Sequence, residues 1–162
     1  MIRDFEAADA PAAQRVALEA WAEFEGVFDG WETLAGRLAG IASLATELEL
    51  IVATDAGSLA GLVGYAPPGA KREPMFPPAW GIVRLLSVAP AARGRGIGRR
   101  LTEECIARAR RDGAAAIGLH TSPAMQVALP LYERLGFVRE RAIPDRFGVP
   151  YAIYALALGP SG

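Results

Sequence analysis

The segment that most limits the fold is a cluster of glycines and arginines at residues 93–98, Arg-Gly-Arg-Gly-Ile-Gly. An apolar run at residues 82–88 precedes it and predicts a buried strand, and an amphipathic stretch from residue 96 to 112 predicts a helix. Glycine lets the backbone approach a ligand closely, and the first amides of a helix attract anions. The segment therefore predicts a strand–loop–helix unit with a phosphate site at its turn.

The spacing of the glycines distinguishes three classes of phosphate-containing ligand. A nucleoside-triphosphate loop needs Gly-Lys-Ser/Thr after its glycines, and this chain lacks that sequence. A dinucleotide fingerprint needs a third glycine three residues after the second, where this chain has Arg99. The pattern that remains is Arg-x-x-Gly-x-Gly, formed by Arg93, Gly96 and Gly98.

A second motif, Leu-Tyr-Glu-Arg-Leu-Gly-Phe, occupies residues 131–137 near the end of a helix predicted for residues 124–135. With the glycine loop, it resembles the GNAT superfamily of acetyl-CoA-dependent N-acetyltransferases. The resemblance covers essentially the whole chain and is most specific for residues 82–138. It implies one GNAT domain at residues 1–162 with a mixed α/β fold of the α+β type. In that fold a mostly antiparallel central sheet has a splayed parallel strand pair that holds acetyl-CoA, and helices cover both faces.

The resemblance implies how the chain contacts acetyl-CoA. The loop amides would bind the pyrophosphate, and the strand before the loop would pair with the pantetheine arm. The amide of Val88 would face the thioester carbonyl, and one such donor is typically worth about 3 kcal/mol of barrier. The implied cofactor-binding residues are Leu86, Ser87, Val88, Arg93, Gly94, Arg95, Gly96, Ile97 and Gly98.

Two side chains are candidate catalytic residues. By the resemblance, Tyr132 would protonate the departing thiolate, which an apolar cleft solvates poorly; the alternative is a tyrosine that only packs against the cofactor. His120 is the sole histidine and lies near the end of the strand predicted for residues 116–121. With an ordinary pKa of about 6.5, it could accept a proton from an ammonium group directly or through water. Its alternative is packing in the cleft or a hydrogen bond to substrate.

The implied reaction is direct transfer of the acetyl group of acetyl-CoA to a primary amine of a small molecule, peptide or protein. Transfer of another acyl group, transfer to a hydroxyl group and a non-catalytic acyl-CoA-binding module remain as alternatives. Glu25, between the first two predicted helices, and Trp80, in a proline-rich loop at residues 67–80, are the candidate acceptor-binding residues. An exposed acid without a partner and a loop aromatic packed on the core are the simpler interpretations.

The composition limits the partners. The net charge of −1 argues against a nucleic-acid binder, although seven of the seventeen basic residues lie between Arg93 and Arg111. The single cysteine, Cys105, lies on an apolar helix face, and no signal peptide or spanning segment is visible, so we expect a cytoplasmic protein that does not bind membranes. A single histidine argues against zinc, and we expect no metal. The resemblance is compatible with a homodimer.

The rest of the pattern predicts the element order β-α-α-β-β-β-α-β-α-β-β. Pro130 falls inside the last predicted helix and should kink it two residues before Tyr132. The first predicted helix begins at Asp9, and the second spans residues 31–43. The other strands span residues 2–5, 49–54, 59–65, 137–140 and 151–158.

Overall fold

Within residues 1–159, which the computed structural model describes, seven strands join in one sheet of order β1-β2-β3-β4-β5-β7-β6. Neighbouring strands are antiparallel except β4 and β5, which are parallel. The strands are β1 Ile2–Asp4, β2 Glu49–Asp55, β3 Ser58–Ala66, β4 Gly81–Val88, β5 Ala116–Thr121, β6 Val138–Arg146 and β7 Val149–Ala157. The α-helices are α1 Ala10–Trp21, α2 Trp31–Ala39, α3 Ile97–Arg111 and α4 Ala128–Arg134.

Helices cover both faces of this sheet, as predicted. On one face, α1 and α2 bury an apolar stripe of alanine, valine and leucine against the sheet. On the other face, α3 buries Ile97, Leu101, Cys105 and Ala109. Cys105 is fully buried and unbonded, and burial raises the pKa of its thiol. The expected core thiol and the expected mixed α/β fold are thereby confirmed.

Two predicted helices are shorter than the sequence suggested. The second one ends at Ala39, and a 3₁₀ segment follows over Ile41–Thr46. Gly40 has low helix propensity, and the Ser43 hydroxyl donates to its carbonyl at 2.7 Å, which competes with a further helical turn. The last helix begins at Ala128 instead of residue 124.

The predicted kink at Pro130 is wrong. Pro130 is the third residue of α4, and the first amides of a helix have no partner within the helix. The amides of Leu129 and Leu131 donate to the carbonyls of Met125 and Val127 at 3.1 and 3.4 Å, so the proline interrupts the hydrogen bonds only in the first turn. The residues before α4 form turns instead, in which the amide of Ala124 donates to the Ser122 hydroxyl at 3.2 Å.

The loop between β3 and β4 is irregular, as its prolines predict, and one arginine holds it together. The guanidinium of Arg72 donates to four backbone carbonyls at 2.7–2.9 Å. These carbonyls belong to Pro67, Ala70, Pro77 and Trp80, so the side chain ties together both ends of the loop.

The close approach of α3 to β3 predicts a strong effect of Gly61→Ala. A Cβ at Gly61 would lie 2.9 Å from the Ser87 carbonyl oxygen and 3.1 Å from Cγ2 of Ile97. We expect a loss of about 1–3 kcal/mol in the free energy of unfolding, measured by urea denaturation. Gly26→Ala is the matched control, because a Cβ there has no described atom within 4 Å. Equal stability of the two variants would contradict this packing.

Candidate active site

The parallel strands β4 and β5 separate soon after they begin. They pair at Gly81 with Ile117 and at Ile82 with Gly118, and then diverge toward their carboxyl ends. Two cavities lie where the strands have separated, with volumes of about 590 Å³ and 540 Å³. The first, which we call the loop cavity, is lined by the glycine segment, and the second, the histidine cavity, by His120. Both are lined by Trp21, Leu86, Met125 and Ala128, so they adjoin in the gap.

A β-bulge distorts β4 beside this gap. Leu62 pairs with Ser87 but Gly64 pairs with Arg84, so β4 has one residue more than β3 in this interval. Leu85 has a φ of 56°, which is uncommon for a residue with a side chain. The extra residue of a bulge is left without a partner in the ladder. Backbone of β4 is therefore released from β3 at the level where β5 has already moved away.

The side chain of Ser87 stabilises the bulge. Its hydroxyl donates to the Leu85 carbonyl at 3.0 Å and accepts from the indole nitrogen of Trp21, also at 3.0 Å. Ser87 is only 1% exposed and lies outside the lining of both cavities. Of the predicted cofactor-binding residues of β4, Leu86 and Val88 line the loop cavity.

The glycine loop presents unblocked amides at the start of α3. Gly94 and Gly96 have φ values of 82° and 76°, which residues with side chains rarely adopt, and Gly96 is the N-cap of the helix. No side chain of the described residues caps this helix, and its first turn contains no acid. A Cβ at Gly98 would lie 3.3 Å from the Leu131 side chain. Free amides and the helix dipole favour an anion at this end of the loop cavity.

The two arginines of the loop have different surroundings. Arg93 lines the loop cavity, where its guanidinium donates to the Ala20 carbonyl at 2.8 Å and pairs with Glu23 at 3.0 Å. Arg95 forms an ion pair with Asp55 and lies outside the lining of both cavities. The structure thus brings Arg93 to the loop cavity and leaves Arg95 on its outer side.

Tyr132 is buried at the wall of the histidine cavity. It is 6% exposed, and its ring centroid lies 5.8 Å from that of Phe137. Burial raises the pKa of the phenol well above its usual value. The hydroxyl consequently keeps its proton at neutral pH and is available as a donor.

His120 lies between two aromatic rings in the same cavity. Its ring centroid is 5.8 Å from that of Phe76 and 5.5 Å from that of Tyr151. Its Nδ1 atom is buried and has no hydrogen-bond partner within residues 1–159. Burial, together with the charge of Arg146, lowers the pKa of His120 to about 4, although Glu73 acts in the opposite direction. The imidazole is therefore neutral at pH 7.

An ion pair that the sequence did not indicate crosses the cavity wall. Arg146 donates to both carboxylate oxygens of Glu73, at 2.9 and 3.1 Å, and its guanidinium lies 5.9 Å from the centre of the Tyr151 ring. Burial alone would raise the pKa of Glu73, but the Arg146 hydrogen bond holds it below its usual value. The partners are 73 residues apart, in a loop and at a strand end, so no local pattern relates them.

The two expected acceptor-binding residues, Glu25 and Trp80, lie outside the lining of both cavities. Glu25 is exposed and lies outside the lining of both cavities. Trp80 packs against Gly118 of β5, where a Cβ would lie 2.7 Å from its Cε3 atom, and it also lies outside the lining of both cavities. The loop aromatic that lines the histidine cavity is Phe76.

The basic residues between Arg93 and Arg111 are mostly neutralised. Within the described part of the chain, five of these seven arginines form ion pairs with acids. This pairing leaves little free positive charge on α3 for a nucleic-acid backbone. The paired residues are Arg93, Arg95, Arg99, Arg108 and Arg111.

The profile of the Acetyltransferase (GNAT) family matches residues 10–137, which include the glycine loop, the bulged strand and Tyr132. This chain belongs to the GNAT acetyltransferase family. Among solved structures, the GNAT chain is similar to a GCN5-related N-acetyltransferase from Kribbella flavida. The two are 25% identical with a TM-score of 0.75, over 98% of this chain and 97% of that one.

A second similar structure is a GNAT family acetyltransferase from Brucella melitensis in complex with acetyl-CoA. It is 24% identical with a TM-score of 0.69, over 100% of this chain and 90% of that one. A curated relative is the mycothiol acetyltransferase of Geodermatophilus obscurus, 41% identical over 63 residues, or 39% of this chain. The matched segment spans 20% of the length of that relative, so the similarity concerns part of it.

Among residues 1–159, no helix combines the length and the apolar composition that crossing a bilayer requires.

The buried imidazole predicts that stability depends on pH. The pKa of His120 is about 4 in the folded chain and near its ordinary value of 6.5 in the unfolded chain, so the unfolded chain binds more protons between these values. The free energy of unfolding should therefore fall as the pH decreases from 6.5 to 5, by up to about 1.4 kcal/mol per pH unit.

Urea denaturation of the wild type and of His120→Gln at pH 7 and pH 5 measures this dependence. The variant lacks the titrating group, so its stability should change less between the two pH values. Equal changes in both proteins would show that the imidazole is not held neutral by the fold.

Proposed function

We propose that this protein transfers the acetyl group of acetyl-CoA to a primary amine of a small molecule or peptide. The observation that supports this most strongly is the pair of adjoining cavities between β4 and β5. An anion site of free amides lies on one side, and a buried tyrosine and a neutral histidine lie on the other. Such an arrangement suits a ternary complex, in which donor and amine enter from opposite sides.

The loop cavity is the proposed donor site, and residues of this chain fit acetyl-CoA there. The amides of residues 94–98 would bind the pyrophosphate, with Arg93 close by. Leu86 and Val88 would pair through their backbone with the amides of the pantetheine arm, because the bulge and the diverging β5 leave this backbone accessible. Arg95 would act only through the general field of the loop, since it is paired with Asp55.

When bound, acetyl-CoA supplies a thioester whose C–S bond breaks as the C–N bond to the amine forms. The ammonium form of the acceptor loses two protons overall: one goes to the CoA sulfur and the other to solvent. The Val88 amide would stabilise negative charge on the carbonyl oxygen. Tyr132 would provide the proton for the sulfur, because its phenol is protonated and lines the cavity next to the shared residues.

His120 would act as a hydrogen-bond acceptor for the amine or for a water molecule. With a pKa of about 4, it is a far weaker base than an alkylamine, so it would not hold the proton of an ammonium group. Water in the histidine cavity would take this proton to solvent. Of the two roles that the sequence left open for His120, we therefore propose the hydrogen bond to substrate and not proton acceptance.

The volume of the histidine cavity limits the size of the acceptor. A volume of about 540 Å³ accommodates a small molecule or the first residues of a peptide.

The buried, unbonded Cys105 is compatible with a reducing compartment, so the cytoplasm is the proposed location. A homodimer stays a prediction.

Replacement of Tyr132 by phenylalanine tests the proposed chemistry. Loss of the hydroxyl should lower kcat by about 100-fold while the KM for acetyl-CoA changes little, because only proton donation is removed. Release of free CoA thiol in the presence of an accepted amine measures both constants.

The matched control is Tyr154→Phe, a buried tyrosine of β7 that is 7% exposed and outside the lining of both cavities. It should leave kcat within about twofold of the wild type. If Tyr132→Phe turns over as fast as this control, Tyr132 is not the acid.

A further inference from the structure

The charge of the histidine cavity is not used by the proposed reaction. Its lining has five basic and two acidic side chains, an excess of positive charge around the position where an amine must bind. A positively charged wall disfavours a polycationic acceptor and favours one that carries a negative group. The charged lining residues are Arg37, Lys71, Arg72, Arg84, Arg146, Glu47 and Glu73.

Most of these cations are either occupied or located at the rim. Arg146 is paired with Glu73, and Arg72 is saturated by backbone carbonyls of its own loop. Arg37 and Lys71 are exposed to solvent. Their charges therefore contribute little to binding inside the cavity.

Arg84 is the exception. It lies on β4, is half-buried, and forms no hydrogen bond or ion pair with any residue of the described chain. Glu73 is close enough for its pKa to be lowered by Arg84, but both of its oxygens are already bound by Arg146. A guanidinium that lines the cavity and is not neutralised by an acid can pair with an anion that enters it.

The position of Arg84 indicates that the anion it binds belongs to the acceptor and not to the donor. Arg84 lines the histidine cavity and is absent from the lining of the loop cavity. It lies on the same strand as Leu86, which both cavities share, on the other side of the bulge at Leu85. A group bound to Arg84 would therefore share the histidine cavity with the attacking amine, together with His120 and Tyr132.

We propose that Arg84 binds the carboxylate of the acceptor, and that the acceptor is a small amine of the amino-acid type. The planar guanidinium matches a carboxylate with two parallel hydrogen bonds, and one unpaired cation balances its single negative charge. In an amino acid one carbon separates the carboxylate from the amine, which suits a binding group adjacent to the site of attack. This inference rests on the proposed acetyl transfer and specifies its substrate class.

The test compares free amino acids with their matched carboxamides in an assay of CoA release. The wild type should prefer the acids, and Arg84→Gln should lower kcat/KM for the best acid by about 10- to 100-fold. The same variant should leave kcat/KM for the carboxamide within about threefold, because that substrate has no carboxylate. Arg84→Lys, which keeps the charge, should recover part of the activity toward the acid.

The matched control is Arg100→Gln, which removes an exposed arginine of α3 that lines neither cavity. It should leave both substrates unaffected. Equal rates for acids and carboxamides in the wild type would overturn the inference without any variant, as would an equal loss for both substrates in Arg84→Gln.

Two further substrates separate this inference from the proposed function. If only amines without an acid group, such as spermidine, are acetylated, acetyl transfer stands and the carboxylate site is overturned. If kcat/KM for phosphoethanolamine is higher than for every amino acid, Arg84 binds phosphate and the carboxylate assignment is also overturned. If no amine of any class raises the rate of CoA release above the rate measured without amine, the proposed function itself fails.

Discussion

The separation of β4 from β5 is the constraint on which the rest of this site depends. Parallel strands that stayed paired would close the sheet and bury the backbone of β4 in a ladder. Here they pair at two positions and diverge, while the bulge at Leu85 releases β4 from β3 on its other side. A length of strand backbone is thus open to a ligand in the middle of a folded sheet, and Trp21 and Ser87 hold it in this shape.

The gap also divides the electrostatics of the site. The loop cavity has the positive end of α3 and unblocked amides, which suit the phosphates of a nucleotide-type ligand. The histidine cavity has a neutral imidazole, a protonated phenol and the unpaired Arg84. In the proposed reaction, the proton donor, the hydrogen-bond acceptor and the anion site would therefore be different groups.

The sequence predicted the parts of the site that depend on local chain geometry. The glycine loop and Tyr132 lie within recognisable patterns, because a tight turn before a helix restricts residue choice over a few positions. It did not predict the pairing of Glu73 with Arg146 or the free state of Arg84, since these depend on which distant side chains meet in the fold. The predicted start of the last helix was wrong for a similar reason. The sequence alone did not show that α4 begins at Ala128, late enough to place Pro130 in its first turn.

The central claim is that the loop cavity binds acetyl-CoA, and the unfolding temperature with and without this ligand tests it directly. A ligand at a hundred times its Kd stabilises the folded state by about 2.7 kcal/mol, which raises the Tm by several degrees. NAD and ATP serve as controls, because the loop lacks the sequence features that each requires. We predict a rise with acetyl-CoA that neither control reproduces. No rise at millimolar acetyl-CoA, or an equal rise with all three, would contradict the account.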